Sequence, residues 1–98
     1  MANLSIIWDL EDDPEGNVQH IAEHGISPEE VEEVLYKHFD IAVASRSSGQ
    51  PMTFGWTSTG KYLAVVFEEV LEDPVTVRPV TAYEVPPPQT KKGKKRGR

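Results

Sequence analysis

Three consecutive prolines, Pro86-Pro87-Pro88, limit what this chain can fold. Proline has no amide hydrogen to donate and fixes its own φ, so neither a helix nor an inner strand runs through such a triplet. Beyond it come Gln89-Thr90 and then KKGKKRGR, with six basic groups and no large apolar side chain. That composition buries too little surface to offset the entropy of ordering. Residues 1–85 are therefore expected to form one small domain, and residues 86–98 a disordered tail, first proline-rich and then basic.

The same boundary divides the charge. Residues 1–90 carry all sixteen acidic side chains and only four basic ones (Lys37, Arg46, Lys61 and Arg78), a net of −12, whereas residues 91–98 carry +6. Phosphate backbones should be repelled by the domain and attracted by the tail. There is no cysteine, which excludes disulfides, thiolate metal sites and a cysteine nucleophile. The N-terminus MANLSIIWDLEDD lacks the basic and apolar pattern of a leader, and no apolar run approaches the roughly 20 residues of a membrane span. A cytoplasmic protein without a membrane segment is expected.

Ser5 to Asp9, SIIWD, reads as a first strand. Acidic residues and Pro14 then suit a helix start, and Val18, Ile21 and Ala22 mark one face of a helix from about 14 to 24. Gly25 stands where a helix closes in a left-handed residue. Ser27-Pro28-Glu29-Glu30 combines an N-cap serine, a first-turn proline and the glutamate of a capping box. Val31, Val34, Leu35 and His38 continue a second helical face, and the glutamates near its start favour the dipole and solvent.

After Asp40 the period changes. Residues 41–45 alternate as a strand, 46–51 form a loop, and 52–58 form another strand with Met52, Phe54 and Trp56 on one face. Ser58-Thr59-Gly60-Lys61 turns the chain into a strand from Tyr62 to Val70, and Glu72-Asp73-Pro74 turns it into a last strand from Val75. Pro79 within that strand implies an edge or a bulge. The fold expected is α+β: an N-terminal strand and two helices packed on one face of an antiparallel sheet of about four to five strands.

Several residues resemble the BrnT family, the toxin half of a bacterial type II toxin–antitoxin pair, similar in fold to the RelE and ParE toxins. They are Ile7-Trp8-Asp9, then His24-Gly25-Ile26-Ser27 with Glu29, Glu30 and Val34, then Gly55, Gly60-Lys61, Leu63 to Phe67, and Val77 to Ala82. The resemblance covers about residues 6–85. It implies a RelE-like topology, a ribonuclease acting on messenger RNA, and a small antitoxin partner. Departures weaken the catalytic part. Glu23 stands where the family usually has lysine before His-Gly. Met52-Thr53-Phe54 replaces a segment that commonly holds arginine. Thr81-Ala82-Tyr83 leads into prolines rather than a basic C-terminal helix. Weakened or lost nuclease activity is therefore expected, and a non-catalytic interaction module of the same fold is the alternative.

Metal-free RNA cleavage needs a base, an acid and a cation for the phosphorane. The candidates are His20, His24, Arg46, Lys61, Arg78 and Tyr83. Each also has a structural reading. His24 suits a helix end whose imidazole bonds the last carbonyls, His20 a partly exposed surface, and Arg78 a solvent-facing strand position. No cofactor is called for. HIAEH lacks the glutamate placement of a zinc helix, and the acidic run from Asp9 to Glu15 does not fit an EF-hand, so no metal is expected. Trp8 and Trp56 could stack on bases but are expected in the core. The tail could hold nucleic acid non-specifically, fold back on the acidic domain or serve solubility. An antitoxin would cover the exposed sheet face or edge.

Overall fold

The computed structural model describes residues 4–45 and 48–88. Elements follow in the order β1 (Leu4–Ile6), α1 (Asn17–Ala22), α2 (Pro28–His38), a 3₁₀ turn (Phe39–Ile41), β2 (Val43–Ala44), β3 (Pro51–Trp56), β4 (Tyr62–Glu72) and β5 (Val75–Glu84). The class is α+β, with two helices on one face of a five-stranded sheet ordered β1-β5-β4-β3-β2. No helix among the described residues is long and apolar enough to cross a membrane.

The sheet is mixed, which corrects the expectation of an antiparallel one. The meander β2 to β5 is antiparallel throughout, but β1 lies parallel to β5, with Leu4, Ser5 and Ile6 opposite Val75, Thr76 and Val77. Hydrophobic periodicity identifies a strand but carries neither its edge nor its direction.

The capping box is formed as read. Glu30 N donates to Ser27 Oγ at 3.2 Å, and Ser27 N donates to Glu30 Oε1 at 3.0 Å. Val31, Val34 and Leu35 of α2 are fully buried against Leu63, Val65 and Phe67 of β4 and Val77 and Ala82 of β5. Gly25 has φ +77°, and the bond from Ile26 N to Ile21 O closes the turn after α1.

The start of α1 differs from the expectation at Pro14. Pro14 and the acidic residues before it lie in turns, and the helix begins only at Asn17. Asp9 draws the start to that point by accepting from Asn17 N at 2.8 Å. Gly16 allows the approach, since a Cβ there would lie 2.7 Å from Asp9 Cβ.

Asn17 also repairs the sheet. Ile7 N continues the parallel ladder to Val77 O at 2.9 Å. The next bond of a parallel ladder should run from residue 79 to Ile7 O, but Pro79 has no N–H. Asn17 Nδ2 supplies it, donating to Ile7 O at 3.2 Å and to Pro79 O at 2.9 Å. Asn17 Oδ1 in turn accepts from Asp9 N at 2.9 Å. Pro79 therefore sits inside the sheet, fully buried, and Val80 forms the bulge that follows it.

Trp8 packs against the core and donates from Nε1 to Glu32 Oε2 at 2.8 Å. Trp56 does not enter the core. It is 52 % exposed on the sheet face away from the helices, because Thr53 and Gly55 take the inward positions of β3. Pro86 to Pro88 are exposed and carry no regular structure. Arg46 and the basic octet lie outside the described residues.

Asn17→Ala strands two carbonyls and one amide of the β1–β5 seam. It should cost roughly 2–4 kcal/mol, against about 1 kcal/mol for Ser27→Ala at the α2 cap. Urea unfolding of the two variants measures the order directly.

Candidate functional site

Three of the sequence candidates meet at the open edge of β5, beyond the end of β1. The segment after α1 brings His24 to that edge, where Nδ1 lies 2.8 Å from Ala82 O. A carbonyl oxygen only accepts, so Nδ1 carries the proton and Nε2 is the nitrogen that can take one up. The His20 ring stands edge-on to His24 with centroids 5.2 Å apart, and the Tyr83 ring stands edge-on at 6.2 Å. All three residues are exposed. The imidazole of His24 bonds the sheet rather than the final carbonyls of its own helix, which corrects the helix-end reading. Bulge Val80 sets the phase that turns Ala82 inward and Tyr83 outward.

Lys61 reaches the same corner by another route. Its Nζ donates to Gly25 O at 2.8 Å, one residue from His24, and lies 3.2 Å from Glu30 Oε2. Thr59 Oγ1 also donates to Glu30, so the first turn of α2 is tied to the β3–β4 hairpin. Burial pushes the Glu30 carboxyl up. The Thr59 hydroxyl, the Ser27 amide and Lys61 together outweigh it and hold the group below its ordinary value.

Arg78 belongs to a separate cluster. Its Nη2 lies 2.6 Å from Asp9 Oδ2 and its Nη1 3.6 Å from Glu68 Oε2. It does not simply point into solvent. It joins β5 to the same Asp9 that anchors Asn17. Lys37 pairs with Glu33 at 3.7 Å. Every lysine and arginine among the described residues thus has a carboxylate partner. Arg46, the remaining candidate, lies outside the described residues.

The arrangement brings together two imidazoles, a phenol and, one residue away, an ammonium. It can transfer protons. It does not present an unpaired cation to a phosphate, since Lys61 and Arg78 are both neutralised locally. Among the described residues no group of three or more histidine, aspartate or glutamate side chains could hold a metal ion, and no pocket forms.

The sequence showed Asp9 only as a family anchor and the start of an acidic run, and did not show its bond to Asn17, which holds the edge to which His24 binds, nor the hydroxyls of Thr57 and Thr59, which shape the turn at Lys61. The only signal for the first pair was the proline in β5, whose missing donor required a replacement.

Comparison with family models, with curated proteins and with solved structures returns no match.

The lowered Glu30 carboxyl has a definite pH consequence. A group depressed in the folded state adds stability that is full above its unfolded value and is lost as pH falls through the folded one. Glu30→Gln should therefore be less stable than the parent at pH 7. The gap should close as the pH is taken below the carboxylate range. Circular-dichroism melts of both proteins from pH 7 to pH 3 test this.

Proposed function

We propose that this chain is a BrnT-like, RelE-type toxin-fold protein of a type II toxin–antitoxin pair. It is directed at messenger RNA, with its cleavage centre reduced to His20, His24 and Tyr83. The observation that carries the reading is the meeting of these three rings at one sheet edge, with His24 Nδ1 committed to Ala82 O and Nε2 left for proton transfer. The strand, helix, helix, meander order and the His-Gly-Ile-Ser join add support.

In this reading His24 Nε2 accepts the 2′-hydroxyl proton, and that oxygen attacks the adjacent phosphorus to give a 2′,3′-cyclic phosphate. His20 or Tyr83 protonates the departing 5′-oxygen. Lys61 is the nearest cation. It must leave Glu30 to face the phosphorane, so cleavage is slow. The partner called for is a small antitoxin. The short β2 edge, with Val43 and Ala44 exposed, offers it unpaired backbone, and the acidic domain steers a basic partner.

One observation favours the alternative, a non-catalytic interaction module. Arg78 is held between Asp9 and Glu68, and Lys61 is held by Glu30, which leaves no ready phosphate ligand among the described lysines and arginines. A single assay separates the two. Labelled single-stranded RNA, incubated with the full chain in EDTA, should give products ending in 2′,3′-cyclic phosphate. His24→Ala should slow this by about a hundredfold or more, whereas Arg78→Ala should act mainly on stability. Absence of cleavage, or cleavage indifferent to His24, removes the catalytic reading. Growth arrest on expression, relieved by the partner, tests the toxin assignment itself.

A further inference from the structure

β4 outruns its neighbour. β3 pairs with it from Tyr62 to Val66 and no further, while β5 accompanies it to Glu72. The stop has a backbone cause. Thr57 N bonds Lys61 O, and alternation from that pair makes Gly55 and Leu63, Thr53 and Val65, then residues 51 and 67 the hydrogen-bonded partners. Residue 51 is proline, which has no N–H to give Phe67 O. Glu69, two residues on, turns its N–H and C=O to the same side. Among the described residues no backbone bond from outside the strands reaches residues 67–73. Residues 67–72 thus leave about 20 Å of strand edge open.

The side chains along this edge are of two kinds. Val70 is the extra residue of a bulge, so Val70 and Leu71 stand together opposite Thr76. They are 47 % and 54 % exposed. Glu68, Glu69, Glu72 and Asp73 flank them, and no basic residue lies between Lys61 and Arg78. Arg78 is committed to Asp9 and Glu68.

We propose that the open edge of β4 takes a basic, extended segment of a partner protein as an added strand. The partner's backbone pairs along residues 67–72, its apolar side chains cover Val70 and Leu71, and its lysines or arginines meet Glu69 and Glu72. The occupant follows from complementarity. An unpaired ladder asks for a strand, and acids without local cations ask for a basic one. A second copy is the wrong occupant, because edge-to-edge pairing sets these glutamates against one another. Acids alone would guard the edge. Exposed Val70 and Leu71 add apolar surface that guarding does not require and that a docked strand covers. Nucleic acid is repelled by the same acids. The inference goes beyond the toxin reading and uses neither the histidines nor the β2 edge.

Heteronuclear NMR and amide exchange of the full chain test it. The probes are an octapeptide alternating arginine with valine, its glutamate–valine counterpart, and the arginine peptide N-methylated at every peptide bond. The arginine peptide should shift the resonances of residues 67–72 and slow exchange at the Glu69 amide. The N-methylated peptide, equal in charge but without donors, should lose the binding. E69K/E72K should weaken the arginine peptide about tenfold and accept the glutamate peptide in its place. E23K/E84K makes the same change in charge at the opposite end of the sheet, where Glu84 pairs with Leu63. It should leave the affinity within about twofold in physiological salt. Equal losses in the two variants, undiminished binding of the N-methylated peptide, or shifts centred on Val43 and Ala44 would overturn the added strand. A dimer of the chain alone that shifts residues 67–72 would give the edge to a second copy. Tighter peptide binding after removal of residues 91–98 would give it to the chain's own basic end. Either result overturns the partner.

Discussion

The architecture turns on a hydrogen bond that the backbone cannot make. β1 joins the sheet in parallel with β5, and the ladder bond that should follow Ile7 N–Val77 O falls on a proline nitrogen. The Asn17 side chain donates to Ile7 O and Pro79 O at once and accepts from Asp9 N, so three backbone groups are satisfied by one amide. Leaving them unpaired would cost a few kcal/mol, of the order of a small domain's whole stability margin. Because Asn17 is also the first residue of α1, the same contact sets where that helix begins and how it lies against β5. His24, at the far end of the segment, meets the next outward carbonyl of β5 at Ala82. The segment thus takes over, with side chains, the edge that β1 leaves short.

That substitution explains the character of the candidate site. His24 is placed by a structural need, and His20 and Tyr83 come near because they flank it. Arg78, in contrast, is drawn into the β1–β5 seam through Asp9. Among the described residues, Lys37, Lys61 and Arg78 are each held by a carboxylate. The sheet face away from the helices carries the Phe54, Trp56 and Tyr62 rings.

Much of this was legible in residue order alone. Ser27, Pro28 and Glu30 announce α2 because capping is local chemistry, complete within four residues. Gly25 and Gly60 mark turns because their positive φ values, +77° and +90°, suit no other residue as well. The meander from β3 to β5 follows from alternation and turn residues. Long-range choices were not legible. The edge and direction of β1 depend on β5, some seventy residues away. The late start of α1 depends on Asp9 closing over Gly16. Trp56 reads as a core residue because its ring is large, yet the sheet alternation fixed by Thr53 and Gly55 sends it outward. The histidine pair was visible from its i, i+4 spacing, but its partner Ala82 O was not, because the Val80 bulge decides which carbonyl faces α1.

If the Asn17 amide stands in for the missing Pro79 donor, the two positions must be energetically coupled. Urea unfolding of N17A, P79A and N17A/P79A closes a double-mutant cycle. Alanine at 79 restores an N–H that can reach Ile7 O, so loss of Asn17 should cost less in that background, by at least about 0.5 kcal/mol. Costs that simply add, within a few tenths of a kcal/mol, would contradict the account.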